Sequence, residues 1–202
     1  GLRDNNSFNS PTEISFKSEK LYVIDYNNYG VKVFNKDLNW LHTYYIDDFL
    51  TNRPISVDAL DNGLVYILTE NHKVYIFDGL SNNIFETFEI DETKDESSLL
   101  KILFDSNGNF VHILTKNNLY KFTLAGSYVT TFIIPKSDNI KYNNIRIGTN
   151  NTLYISSPKC IFKLQDILQV YKLGDGLPYK YWDYNQLKVD KNEFVSDLNY
   201  NR

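Results

Sequence analysis

Leu21-Tyr22-Val23-Ile24-Asp25, a short polar break and Val31-Lys32-Val33-Phe34 set the pattern of this chain. The unit returns as Val65-Tyr66-Ile67-Leu68-Thr69 with Val74-Tyr75-Ile76-Phe77, and again as Val111-His112-Ile113-Leu114-Thr115 with Leu119-Tyr120-Lys121-Phe122. A fourth copy is Leu153-Tyr154-Ile155-Ser156-Ser157 with Ile161-Phe162-Lys163-Leu164. Successive copies begin 44, 46 and 42 residues apart. Self-similarity at such a period is the mark of a repeat architecture, in which each unit buries its apolar face on its neighbours.

Outward from these paired runs, each unit reads as four short strands. First strands are expected at Glu13–Phe16, Ser56–Leu60, Leu100–Phe104 and Asn144–Ile147, and fourth strands at His42–Ile46, Phe85–Ile90, Tyr128–Ile134 and Leu168–Leu173. Asp61-Asn62-Gly63 and Ser106-Asn107-Gly108 supply the residues that tolerate positive φ in first-to-second turns. Asp78-Gly79 and Ala125-Gly126 mark the third-to-fourth hairpins. No stretch keeps a long 3.6-residue apolar period, so almost no helix is expected. The second strands are nearly all apolar, as strands covered on both faces are. The fourth strands alternate, with His42, Tyr44 and Ile46 on one face and Thr43 and Tyr45 on the other. Buried inner strands and wetter outer strands, four to a unit, predict the stacked blades of a β-propeller rather than a two-sheet sandwich.

The expected organisation is a polar arm over 1–10 and four propeller blades over 11–52, 53–96, 97–138 and 139–178. Residues 179–202 read as a partial fifth blade or a C-terminal extension. In the first of these readings Gln186–Asp190 and Glu193–Asp197 take the places of a first and a second strand. The fold class is therefore all-β: four-stranded antiparallel blades, four plus a partial fifth, as part of a larger ring. An open arc would leave apolar blade faces bare, so further repeats or a partner are expected to cover its ends. A chain that starts at Gly1 and holds no Met reads as processed or as a piece of something longer.

Leu21-Tyr22-Val23-Ile24-Asp25, with Asn27, Asn28 and then Val31-Lys32-Val33-Phe34, resembles the NHL-type propeller repeat and its YVTN-like relatives. The other three units keep the apolar skeleton and replace the Asp by Thr69, Thr115 and Ser157. The resemblance runs through most of residues 11–178. It implies a propeller that binds partners on a loop-lined face.

Composition narrows the chemistry. Net charge is −4, without the basic excess of a chain built to grip nucleic-acid backbone. Cys160 is the single cysteine, which leaves neither a disulfide framework nor a thiolate metal cluster. With no signal-peptide pattern in the sequence, cytoplasmic and extracellular or virion settings both stay open. His42, His72 and His112 do not cluster, and His112 stands where other units carry Tyr22, Tyr66 and Tyr154. It reads as a repeat-position ring, not a ligand. Asp47-Asp48 and Asp91-Glu92 with Asp95-Glu96 lack the spacing of a calcium loop and read as solvated acidic loops. The first strands contribute Glu13, Ser15, Ser56, Asp58, Lys101 and Arg146, without a nucleophile–base pair. No catalytic residue, metal or cofactor is assigned.

Binding is expected on the loops at one end of the repeats, because loops on a rigid scaffold carry recognition. The candidate partner-binding residues are Asn27, Asn28, Tyr29, Asn71, His72, Asn117, Asn118, Tyr142, Tyr179 and Tyr181. The expected function is a non-catalytic scaffold for a protein or glycan partner. A structural part of a large assembly, such as a phage virion or bacterial surface complex, is the alternative. RNA binding and a propeller lyase or lactonase rank behind these.

Overall fold

The computed structural model describes residues 7–46, 52–79, 83–91, 99–116, 118–133, 144–148, 152–156 and 161–164. The chain divides into two compact units, Gly1–Ile134 and Pro135–Arg202. The regular structure of the described residues is β-strand, apart from the 3-10 turn Tyr26–Asn28 and Asp91, also in 3-10 conformation. None of their helices is long and apolar enough to cross a membrane.

The first unit holds three antiparallel four-stranded sheets, each a simple meander. Sheet one comprises β1 (Pro11–Lys17), β2 (Lys20–Asp25), β3 (Gly30–Asn35) and β4 (Trp40–Tyr45). Sheet two comprises β5 (Pro54–Ala59), β6 (Leu64–Thr69), β7 (Lys73–Asp78) and β8 (Ile84–Glu89). Sheet three comprises β9 (Leu99–Phe104), β10 (Phe110–Thr115), β11 (Asn118–Thr123) and β12 (Tyr128–Ile133). The second unit holds a three-stranded sheet of β13 (Asn144–Ile147), β14 (Leu153–Ser156) and β15 (Ile161–Leu164). The fourth strand expected at Leu168–Leu173 and the unit expected over 179–202 lie outside the described residues.

Turn chemistry closes the hairpins as the sequence demands. Gly63, Gly108 and Gly126 take φ of 93°, 67° and 85°, where a side chain would be strained. Strand β4 starts at Trp40, earlier than the expected His42. A register shift where Val33 pairs with His42 and Phe34 with Trp40 absorbs one residue and carries the pairing on. Strand β8 is wetter than simple alternation predicts, with only Phe88 half-buried.

Register makes the repeat exact. Opposite partners place Ile14, Val57 and Ile102 at one position, and Leu21, Val65 and Val111 at another. Lys32, Tyr75 and Tyr120 share a third, and Phe34, Phe77 and Phe122 a fourth. Sheet one packs on sheet two through Tyr22, Ile24, Val31, Val33, Tyr44 and Ile46 against Val57, Ala59, Val65, Ile67, Tyr75 and Phe77. The second interface repeats the first position by position: Tyr66, Leu68, Val74 and Ile76 meet Ile102, Val111, Ile113, Tyr120 and Phe122. Sheet two thus has a receiving face toward sheet one and a giving face toward sheet three. Every fully buried aliphatic or Phe side chain here contributes about 1.5–3 kcal/mol.

The three first strands converge. Glu13 on β1 pairs with Lys101 on β9 at 2.7 Å, although sheet two lies between them in the stack. Parallel stacking would set sheets one and three about 20 Å apart, twice the usual spacing of about 10 Å. The stack is therefore a wedge, narrow at its first strands.

Candidate functional site

Polar side chains of the converging strands come first, since an enzyme on this fold would need them. They are occupied by structure. Glu13 Oε2 accepts the Val57 amide at 3.2 Å while its other oxygen holds Lys101. Ser56 Oγ accepts the Ile102 amide at 3.0 Å. Asp58 accepts the Phe104 amide at 3.3 Å through one oxygen, and the Ala59 amide and Ser15 hydroxyl through the other. A first strand is the edge of its sheet, and its outward amides lack a ladder partner. The preceding sheet supplies that partner from side chains. Arg146 on β13 is exposed and pairs across with Tyr154. Among the described residues no three His, Cys, Asp or Glu side chains gather as a metal site would need.

The second-to-third turns are the other candidate region. In sheet one, Asp25 is fully buried beneath its turn. It accepts the Asn28 side-chain amide at 2.8 Å and the Asn9 backbone amide at 2.6 Å, and it pairs with buried Lys32 at 3.3 Å. Lys32 also donates to the Ser7 carbonyl and lies 4.8 Å from the centre of the Phe8 ring. The segment 7–10 is thereby clasped to sheet one. Asn28 faces inward and is spent on this closure. Asn27 is exposed, with its backbone amide bound to the Asn9 carbonyl at 3.0 Å. Tyr29 ends the 3-10 turn in the left-handed region, φ 57°, and is half-buried. Gly30 follows because a Cβ there would meet the Tyr44 carbonyl and the Thr43 methyl at 3.1 Å.

In sheet two the equivalent closure uses Thr69, whose hydroxyl donates to the Lys73 carbonyl at 2.8 Å and lies 2.6 Å from the Asn71 side chain. His72 is half-buried at φ 60°, and its carbonyl accepts the Ile90 amide at 2.8 Å. In sheet three, Thr115 accepts the Asn118 amide at 3.0 Å, and Asn118 reaches the Tyr120 hydroxyl at 3.3 Å. Asn117, Tyr142, Tyr179 and Tyr181 lie outside the described residues.

The turns of sheets one and two share a cluster that the candidate residues only grazed. The Arg53 guanidinium, just before β5, lies 4.8 Å from the Tyr26 ring centre and 5.3 Å from that of Tyr29. Its Nη2 reaches the Tyr29 hydroxyl at 3.4 Å, and Tyr26 donates to the Glu70 carboxylate. The Glu70 amide in turn binds the Arg53 carbonyl at 3.0 Å. Hydrogen bonding to Tyr26 and then Tyr29 holds Arg53 more firmly protonated than a free guanidinium. Arg53, Tyr26 and Tyr29 are half-exposed; Glu70, Asn27 and Asn71 are exposed. Beneath them buried Asn52 donates to the Tyr75 hydroxyl at 3.0 Å.

The structure thus brings Tyr29 to this cluster, keeps Asn71 against Thr69 in its own turn, turns Asn28 inward and sets Asn118 in the turn of sheet three. Sequence reasoning put Tyr26, Glu70 and Arg53 in the loops of the expected binding end but did not single them out as candidates. The signal was present: Tyr26 and Glu70 occupy one repeat position, 44 residues apart, and equivalent positions of stacked sheets are neighbours. Chemically the cluster offers a planar cation against two aromatic rings, with a guanidinium that carries five N–H donors. The chain matches no family model, and no curated protein matches it.

Proposed function

We propose that this chain is a stretch of β-propeller of the NHL/YVTN-like kind, and that it acts as a non-catalytic scaffold binding a protein partner through the Arg53 cluster. The wedge-shaped stack of like sheets, narrow at Glu13 and Lys101, supports the propeller. Arg53 between Tyr26 and Tyr29 is the observation that carries the binding role. Arginine and tyrosine dominate interaction hot spots, and a guanidinium held flat by aromatic rings keeps its fork of donors ready for a carboxylate. A glycan is the second ligand class, since sugars stack on exposed tyrosine faces.

A non-enzymatic role is supported by the use of Glu13, Ser56 and Asp58 as caps for strand-edge amides. The net charge of −4 argues against RNA. The test is selection from a displayed peptide library and a glycan array, followed by affinity measurement on Arg53→Ala. Ligands chosen by the wild type should bind the variant about tenfold more weakly or worse. Selected ligands that bind both equally would show that recognition lies elsewhere.

A further inference from the structure

Sheets two and three both pass from first to second strand through an Asn-Gly dipeptide, Asn62-Gly63 and Asn107-Gly108. Both asparagines are exposed and both glycines are half-buried. In sheet three the fold dictates the glycine. Gly108 takes a φ of 67°, and a Cβ there would meet the Leu60 side chain of sheet two at 3.1 Å. A glycine after asparagine also leaves the amide nitrogen between them unshielded. The turn therefore imposes the pairing in which an asparagine carboxamide and the next backbone nitrogen react most readily, a known source of asparagine lability.

The two turns restrain that pairing differently. In sheet two, Asn62 Oδ1 accepts the Leu64 amide at 3.0 Å, which commits the carboxamide to closing its own hairpin. Gly63 is held on both sides: its amide donates to the Leu60 carbonyl at 3.0 Å, and its carbonyl accepts the Gly79 amide at 3.1 Å. In sheet three the connection is one residue longer, 105–109 against 60–63, and Asp105 does the closing. Its Oδ1 accepts the Asn109 amide at 2.7 Å and the Phe110 amide at 2.8 Å, and its carbonyl accepts the Gly108 amide at 3.0 Å. The amides that follow the dipeptide are thus satisfied by Asp105, and the Asn107 carboxamide is relieved of the task that Asn62 performs.

We propose that Asn107 is a site of spontaneous deamidation, with Asn62 as its protected counterpart. The Gly108 nitrogen attacks Cγ of Asn107 and gives up its proton. The new C–N bond closes a succinimide ring, and the Cγ–Nδ2 bond breaks to release ammonia, which carries that proton away. Water then opens the ring. Addition at Cγ leaves an aspartate; addition at the Asn107 backbone carbonyl leaves an isoaspartate, whose main chain runs through Cβ and is one methylene longer. Either product sets a new carboxylate close to buried Asp105. The lengthened chain cannot keep both the Asp105 closure and the seat of Gly108 against Leu60, so it loosens sheet three from sheet two at this end. The turn lies at the opposite end of the strands from the Arg53 cluster, so either reading can fail without the other.

Incubation of the folded protein in heavy-oxygen water at mildly alkaline pH, followed by peptide mapping with mass spectrometry, counts the two conversions. Asn107 should convert about fivefold faster than Asn62, because one hydrogen bond must first break at Asn62. In concentrated urea the two should convert at like rates, since both precede glycine. Anion exchange then separates the isoaspartate form, which should unfold at a lower urea concentration than the unconverted protein. Asn107→Gln should remove that form and keep the original midpoint. Conversion of Asn62 as fast as Asn107 in the folded protein overturns the proposal. So does a folded protein that stays intact at both sites while the unfolded chain converts. An isoaspartate form with an unchanged midpoint overturns the loosening.

Discussion

Sheet one and sheet two are built on the same register, yet they treat one pair of positions in opposite ways. In sheet two the pair is Thr69 and Tyr75: the hydroxyl closes its own turn and the ring packs into the interface with sheet one. In sheet one the same pair is Asp25 and Lys32, a buried ion pair that takes further partners from Ser7, Asn9 and Asn28. Where a described sheet precedes, the position holds an aromatic ring. Where none does, it holds a charge that the clasped segment seals. Ile14 and Phe16 on the same face of sheet one are exposed.

The comparison breaks most easily at Asp25. Asp25→Ala strands the Lys32 ammonium in a buried site, and urea unfolding should show a loss of about 3–5 kcal/mol. Asp25→Thr with Lys32→Tyr installs the residues of sheet two and should recover to within about 1 kcal/mol of the wild type, or exceed it. If the double variant is as unstable as the single one, the two positions are not interchangeable and the comparison fails.

His112 sharpens it next. Its counterpart Tyr66 is buried but places its hydroxyl on the Leu124 carbonyl at 3.2 Å, with burial pushing its pKa up to about 12. His112 is equally buried, and neither ring nitrogen has a hydrogen-bond partner among the described residues. Burial, helped by Lys121, pushes its pKa down to about 3 from 6.5. The unfolded chain therefore takes up this proton first as pH falls. Stability is fully present above about pH 6.5 and declines toward pH 3, by roughly 1.4 kcal/mol per pH unit at most. His112→Phe should flatten that acid limb in unfolding curves recorded from pH 7 to pH 4. A slope unchanged by the substitution would assign it to other groups. The smallest effect belongs to Thr69→Val, which removes one turn-closing hydrogen bond and should cost about 1 kcal/mol by thermal or urea unfolding. A cost close to that of Asp25→Ala would mean that the hydroxyl and the ion pair do equivalent work.

The strands of the described sheets, the turn glycines Gly63, Gly108 and Gly126 and the equivalence of repeat positions were legible in the sequence, because each is fixed by local period. Leu21 with Phe34, or Val65 with Phe77, follows from hairpin register alone. What stayed hidden needs two sheets at once. Glu13, Ser56 and Asp58 looked like scattered polar residues because their acceptor role depends on an amide 44 or 46 residues away. Asn28 read as an exposed turn residue, but the 3-10 turn points its amide down to Asp25. Arg53 carried no motif, and its meaning comes from the two tyrosines that the neighbouring turn lays beside it.

The strand-edge caps also give the stack a direction. Glu13 reaches forward to Val57, and Ser56 and Asp58 reach forward to Ile102 and Phe104. The earlier sheet holds the acceptors and the later sheet the amides. During synthesis each finished sheet would thus present a solvated template that its successor completes, in the order in which the chain emerges. Loss is lopsided for the same reason. Trimming from the carboxyl side frees carboxylates and hydroxyls, which water accepts readily. Trimming from the amino side strips the acceptors away and bares backbone donors at the narrow edge. At these strand edges, dependence runs forward along the chain: each later sheet needs the acceptors of the one before it.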